Sequence, residues 1–178
     1  NRIRGVFSGS LSYIFNHYSN REKKFSEVLA QAKEMGLTEP DPREDLSGND
    51  VARKLLILAR EIGMQNEAAD VSVQNLIPEE LRGISSWDAF ATQLDKLDRY
   101  YDKKLSALHV EKVFRYVGEL DKDGGLKVSL VEAERQTPLG NIRGSDSIFE
   151  IYTEAYGDNP IVIQGAGAGA EVTARGVY

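Results

Sequence analysis

Glu39-Pro-Asp-Pro-Arg-Glu-Asp-Leu-Ser-Gly-Asn-Asp-Val-Ala-Arg-Lys54 is the stretch around which this chain is organised. Five acidic residues and two prolines share its sixteen positions before it runs into an apolar helix. Each proline fixes its own φ and pushes the preceding residue out of the α region, so the first half is expected to be stiff and extended. Ser47-Gly48-Asn49-Asp50 then supplies capping residue types, which predicts a helix from about residue 49 to Ile62, stopped by Gly63. Asp50 and Lys54 are four positions apart, about 40° around the axis, and share a face. A rigid acidic loop leading to an Asp–Lys face suits a small charged molecule.

Working outward, Arg2 to Ser8 reads as a strand. Ser8-Gly9-Ser10 caps a helix whose apolar positions 11, 14, 15 and 18 share one side. Another helix starts near Ser26 and stops at Gly36. In the 49–62 helix, the apolar residues 51, 52, 55, 56, 58, 59 and 62 cover more than half the circumference, which predicts burial between two layers. Residues 70–77 alternate as a half-buried strand, and Pro78 to Arg82 forms a helical turn. Phe90, Leu94, Leu97, Tyr101, Leu105 and Leu108 predict one long amphipathic helix over 86–108. Lys112 to Leu120 and Leu126 to Ala133 are alternating strands joined by Asp121-Lys-Asp-Gly-Gly. Further strands are expected over 147–156 and 161–164. Early helices and late strands without βαβ alternation predict an α+β fold, a mostly antiparallel or mixed sheet covered by helices on one face.

The 178 residues suit one domain spanning 1–178. A net charge of −6 with no basic stripe argues against nucleic acid and anionic membranes as partners. No apolar run approaches the roughly 20 residues of a membrane span. The absence of cysteine excludes disulfides and thiolate chemistry. His17 and His109 lack metal-ligand spacing; Glu39, Asp41, Glu44 and Asp45 form either a solvated acidic loop or a cation or ammonium site, but without the spacing of a calcium-binding EF-hand loop, so no metal site is expected. With no signal peptide, the expected compartment is the cytoplasm. The chain opens on Asn1 in a strand-like run and stops soon after a glycine-rich segment, so it reads as a piece of a longer protein.

Two features leave alternatives open. Ile161-Val-Ile-Gln-Gly-Ala-Gly-Ala-Gly-Ala170, followed by a helix-like Glu171-Val-Thr-Ala-Arg, has the strand–glycine–helix order of a phosphate-binding turn. A dinucleotide fingerprint also needs a βαβ unit and an acidic residue about 20 positions on, for which no chain remains. The segment is therefore either a tight turn or one wall of a ligand held mainly elsewhere. Lys54 and Asp50 form either an exposed pair contributing about 0.2–0.5 kcal/mol, or a proton-handling pair. A lysine against apolar walls and beside carboxylates is suited to the second role once its pKa is tuned.

The run Thr38-Glu-Pro-Asp-Pro-Arg-Glu-Asp-Leu-Ser-Gly-Asn-Asp-Val-Ala-Arg-Lys-Leu55 closely resembles the substrate-site signature of homoserine dehydrogenase. Gly5-Val-Phe-Ser-Gly-Ser-Leu-Ser-Tyr-Ile-Phe15 and Gly165-Ala-Gly-Ala-Gly-Ala-Glu-Val-Thr-Ala-Arg-Gly-Val177 resemble that family in the same order, so the match spans essentially the whole chain. It is similar to the dehydrogenase part of bifunctional aspartokinase–homoserine dehydrogenases. The resemblance implies hydride transfer between aspartate 4-semialdehyde with NADPH or NADH and homoserine with the oxidised cofactor. It implies proton transfer at the substrate oxygen by Lys54, with Asp50 beside it, and binding of the amino-acid end of the substrate by Glu39 and Asp45. Gly167 and Gly169 become cofactor contacts, and Ser8, Gly9 and Ser10 line the same cleft. A homodimer formed through the sheet is implied as well. The family's Rossmann domain, with most cofactor contacts and a further lysine, has no counterpart in this chain, and the family's monovalent-cation site falls mainly outside it. The rival reading is a non-enzymatic amino-acid-binding or dimerisation module.

Overall fold

The structure is a computed structural model that describes residues 2–167 and Ala174. Its described strands form one six-stranded sheet, β1 (Arg2–Val6), β2 (Val71–Val73), β3 (Lys112–Leu120), β4 (Leu126–Glu134), β5 (Asp146–Tyr152) and β6 (Ile161–Ala166). Their spatial order is β2-β4-β3-β1-β5-β6. Every neighbouring pair is antiparallel except β2 with β4, which makes the sheet mixed, in agreement with the α+β expectation.

Alternation along the strands decides the layers. Phe114, Tyr116, Leu120, Leu126 and Val128 face one side and join the main core. Helices α1 (Gly9–Tyr18) and α4 (Asn49–Glu61) pack on that side. Helices α2 (Phe25–Glu34) and α6 (Leu94–Ala107) close the layer outside α1. Phe15, Tyr18, Phe25 and Tyr101 form the aromatic centre, and the Phe25 and Tyr101 rings stack at 3.7 Å. Asp98 of α6 caps α2 by accepting from the Ser26 N–H at 2.8 Å and the Ser26 hydroxyl at 2.7 Å.

The opposite face carries a smaller cluster, Val6, Val113, Val117, Ala133, Leu139, Ile142 and Ile148, partly covered by the loop after β4. Registered contact between β1 and β3 ends at Gly5↔Gly118. Farther along β3, side chains satisfy the backbone: the Ser19 hydroxyl accepts from Phe114 N–H, and Arg115 donates to Phe114 O. Buried Arg115 also donates to Leu139 O, Gly140 O and Asn16 Oδ1. Burial lowers its pKa to about 10.

Several sequence expectations need correction. The first half of the acidic stretch is not extended throughout, because Pro42 takes helical angles and starts a short helix, α3 (Arg43–Ser47). The predicted 86–108 helix breaks at Thr92–Gln93 into α5 (Trp87–Ala91) and α6. There the Thr92 hydroxyl bonds back to Ala89 O and Gln93 leaves helical angles. The predicted 70–77 strand keeps only residues 71–73 as strand, since Leu76 turns its N–H to Leu46 O of α3. The strand placed over 147–156 runs from Asp146 to Tyr152 and ends in turns. His109 lies between α6 and β3, where its carbonyl accepts from Lys112 N–H.

Helix α4 is not sandwiched. Val51, Leu55 and Ala59 are buried at every fourth position, but Ile57 and Ile62 are 59% and 52% exposed. One apolar stripe seats the helix on the sheet, and its flank lines an open pocket.

Candidate active site

Ser8 ends the strand entry and accepts from Leu11 N–H as the N-cap of α1. Its hydroxyl lies 2.9 Å from that of Ser10, which donates to Asp45 Oδ1 at 2.6 Å. The other oxygen of Asp45 accepts from Glu39 N–H at 2.9 Å. Asp45 therefore ties the start of α1 to the backbone of the acidic loop. Asp41 is engaged differently, with Arg43, whose hydrogen bond holds the Asp41 carboxyl below its usual range. Arg43 also donates to Ile84 O, pinning the loop to the segment before α5. Among the described residues, the Glu39 carboxylate is in no ion pair.

These groups surround a pocket of about 470 Å³ lined by Ser8, Glu39, Asp45 and Asp50, together with Asn75 and Arg82. Five carboxylates against three arginines give the lining a net negative charge, suited to an ammonium group. A second pocket of about 230 Å³ is apolar, lined by Phe7, Ile57, Leu58, Phe149, Ser147 and Lys54. Asp50 lines the first pocket and Lys54 the second. Their side chains meet, with Lys54 Nζ 2.8 Å from Asp50 Oδ2 and 3.0 Å from Phe7 O.

The floor under Lys54 depends on two glycines. A Cβ on Gly118 would lie 2.6 and 2.9 Å from ring carbons of Phe7, and one on Gly5 would lie 2.6 Å from the same ring. Without those side chains the Phe7 ring lies flush on the sheet and stacks on Phe149 at 4.8 Å. The carbonyl of Phe7 receives Lys54 Nζ.

The predicted site residues thus divide. Glu39, Asp45, Asp50, Ser8 and Ser10 are brought together, and Lys54 joins them through Asp50. The glycine-rich segment is a strand through Ala166 rather than a loop, with Gly167 just past its end. A Cβ on Gly167 would overlap the Ser147 hydroxyl, so this glycine passes directly over a residue of the Lys54 pocket. Gly169 and the helix expected from Glu171 lie outside the described residues. Phe7, Ser147, Phe149, Asn75 and Arg82 line the two pockets without having been singled out in the sequence.

A family model described as homoserine dehydrogenase matches residues 1–178. A bifunctional aspartokinase/homoserine dehydrogenase 2 of Zea mays, described as chloroplastic, is 46% identical over 179 residues, covering 99% of this chain and 19% of that protein. A homoserine dehydrogenase of Saccharomyces cerevisiae is 45% identical over 186 residues, covering 99% and 50%. Among solved structures, a Candida auris protein of unknown function matches with a TM-score of 0.87 at 42% identity, covering 99% of this chain and 51% of that one. A putative homoserine dehydrogenase of Archaeoglobus fulgidus matches with a TM-score of 0.71 at 27% identity, covering 98% and 47%. The chain spans about half the length of the yeast relative and about a fifth of the maize one. It belongs to the homoserine dehydrogenase family.

Proposed function

We propose that this chain is the substrate-binding and catalytic half of an enzyme interconverting aspartate 4-semialdehyde and homoserine by hydride transfer with NAD(P)H, in amino-acid biosynthesis. The observation that carries the reading is the position of Lys54 Nζ between Asp50 and Phe7 O, on the wall separating an acidic pocket from an apolar one. An ammonium group has three N–H donors. Two are directed at those acceptors and the third is left for a substrate oxygen.

The substrate's own ammonium is drawn to the acidic pocket, where Glu39 carries the available carboxylate. Asp45 orients the Glu39 backbone and the Ser10 hydroxyl rather than spending its charge on the ligand alone. In the reductive direction, Lys54 donates a proton to the carbonyl oxygen as negative charge grows on it. In the oxidative direction the neutral lysine accepts the homoserine hydroxyl proton. Asp50 and Phe7 O fix the direction of that transfer.

The family uses NAD(P), which supplies or accepts the hydride when bound. The apolar pocket beside Lys54 fits the flat nicotinamide end of such a cofactor, with Gly167 and Ser147 at its edge and Gly169 as a further expected contact. The phosphates require contacts beyond these residues. The chain alone is therefore expected not to oxidise NADPH, and turnover by the chain alone would contradict this division of labour. Calorimetric titration of the full-length protein with homoserine tests the substrate assignment. Binding that is lost in Glu39→Gln supports it, and absence of binding in the unmutated protein refutes it.

The face of the sheet opposite α1 and α4 is the proposed homodimer surface. It carries a charged row in which Arg2 pairs with Glu119 and Arg4 with Glu150, each at 2.6 Å. Sedimentation equilibrium of the full-length protein, unmutated and with Arg4→Glu, tests that assignment. The expected compartment is the cytoplasm, or the plastid as in the maize relative; among the described residues no helix is long and apolar enough to cross a membrane.

A further inference from the structure

Gly48 joins the two helices that carry the site. Its N–H bonds to Asp45 O at the end of α3, and its carbonyl accepts from Ala52 N–H at the start of α4. It is buried and takes φ +78°, a left-handed conformation that favours glycine. A Cβ added here would overlap the Tyr116 hydroxyl oxygen and lie 2.9 Å from Tyr116 Cζ and 3.1 Å from Val73 Cγ1. The joint thus rests directly on the tip of a tyrosine rising from β3.

That tyrosine is itself fixed. It is 2% exposed, and its hydroxyl donates to Gln74 O at 2.7 Å. Gln74 is clamped to β4 twice, by its N–H to Val128 O at 2.8 Å and by its side-chain oxygen receiving Leu130 N–H at 2.9 Å. Two residues on, Leu76 N–H bonds to Leu46 O of α3 at 2.9 Å. The chain of contacts from β3 through Gln74 and Leu76 to α3 leaves the joint little freedom.

We infer that Tyr116 is a positioning residue for the active site. Its hydroxyl, seated under Gly48, sets the placement of α3, which carries Asp45, relative to α4, which carries Asp50 and Lys54. Tyr116 lines neither pocket, so its effect on the reaction runs through the joint. The inference rests on the proposed homoserine dehydrogenase activity.

The test uses full-length enzyme carrying Gly48→Ala, Tyr116→Phe and the pair together, with homoserine oxidation and unfolding measured for each. Misplacement of reacting groups by about 1 Å costs on the order of 10²-fold. Gly48→Ala is therefore expected to lower kcat/KM for homoserine by about that factor while the KM for the cofactor stays within about threefold. Removing the tyrosine oxygen relieves the closest overlap while the approach to Cζ and the left-handed φ remain, so the double variant is expected to recover about tenfold over Gly48→Ala without reaching the unmutated rate, a non-additivity specific to the contact. Additive losses that follow thermal stability alone would overturn the inference. If the unmutated enzyme fails to oxidise homoserine, the functional reading fails separately. The positioning claim is then decided by the crystal structure of Gly48→Ala: displacement of α3 against α4 supports it and an unmoved pair of helices overturns it.

Discussion

Replacing Arg115 with leucine tests whether a buried cation with no carboxylate partner among the described residues holds the back of the sheet together. Its guanidinium donates to Phe114 O at 2.8 Å, Gly140 O at 2.7 Å and Leu139 O at 3.1 Å, all buried main-chain carbonyls. A fourth bond, to Asn16 Oδ1 at 2.9 Å, reaches a half-buried group that water can replace. Leaving each buried carbonyl unpaired costs about 2 kcal/mol, so the three together cost about 6 kcal/mol. Against this, leucine removes a charge that burial disfavours. The fall of the arginine pKa from 12.5 to about 10 corresponds to a charging penalty of about 3 kcal/mol at 1.36 kcal/mol per pH unit. The net expectation is a destabilisation of about 3 kcal/mol. In urea unfolding at pH 7, with a slope of about 2 kcal/mol per molar, the midpoint moves down by about 1.5 M. The melting temperature falls by roughly 6–12 °C. Amide exchange in residues 137–142 quickens ahead of the core, because those carbonyls are what the arginine holds. A midpoint within about 0.3 M of the unmutated protein, with a normal slope, would refute the reasoning.

Other outcomes follow from the same contacts. Asp98→Ala leaves the Ser26 N–H and hydroxyl at the start of α2 without their acceptor and is expected to cost about 1–3 kcal/mol in thermal unfolding, with Asp98→Asn losing less. Tyr18, Tyr101 and Tyr116 all have phenol pKa values raised by burial, so their folded forms keep protons that the unfolded chain loses above about pH 10. Stability is thus full below pH 10 and falls as pH rises, by up to about 4 kcal/mol per pH unit for three protons, less about 1.4 for Arg115, which loses its proton in the folded state first. Alkaline unfolding followed by tyrosinate absorbance checks the slope, and Tyr116→Phe should reduce it by one proton. Asp45→Asn, measured in the full-length enzyme, is expected to raise the KM for homoserine by at least about tenfold with a smaller change in kcat, because it weakens placement of Glu39 and Ser10 rather than proton transfer.

The central part of the site was legible because its decisive pair is local. Asp50 and Lys54 are one helical turn apart, and any helix starting near residue 49 brings them together. The contacts that turn the pair into a site were not legible, because Ser10 reaches Asp45 across 35 residues and Lys54 reaches Phe7 across 47. Short elements left no periodic signal: α3 has five residues and β2 three. The break at Thr92–Gln93 was hidden for another reason. Phe90, Leu94, Leu97 and Tyr101 keep helical phase across it, and all but half-buried Leu94 are fully buried, so the apolar pattern continues where the backbone does not. The broad apolar face of α4 reads as core in the sequence, whereas half-buried Leu58 borders the pocket beside Lys54. Arg115 shows the limit of alternation rules, since a charged residue within a strand pattern reads as solvent-facing and this one is buried.

The most direct test of the account is the turnover number of Lys54→Ala in the full-length enzyme at saturating homoserine and cofactor. If Lys54 handles the proton at the substrate oxygen, kcat falls by about 10²-fold or more, with homoserine affinity changing far less. An unchanged kcat would contradict the account, and together with altered homoserine affinity it would leave this chain an amino-acid-binding module rather than half of a catalytic site.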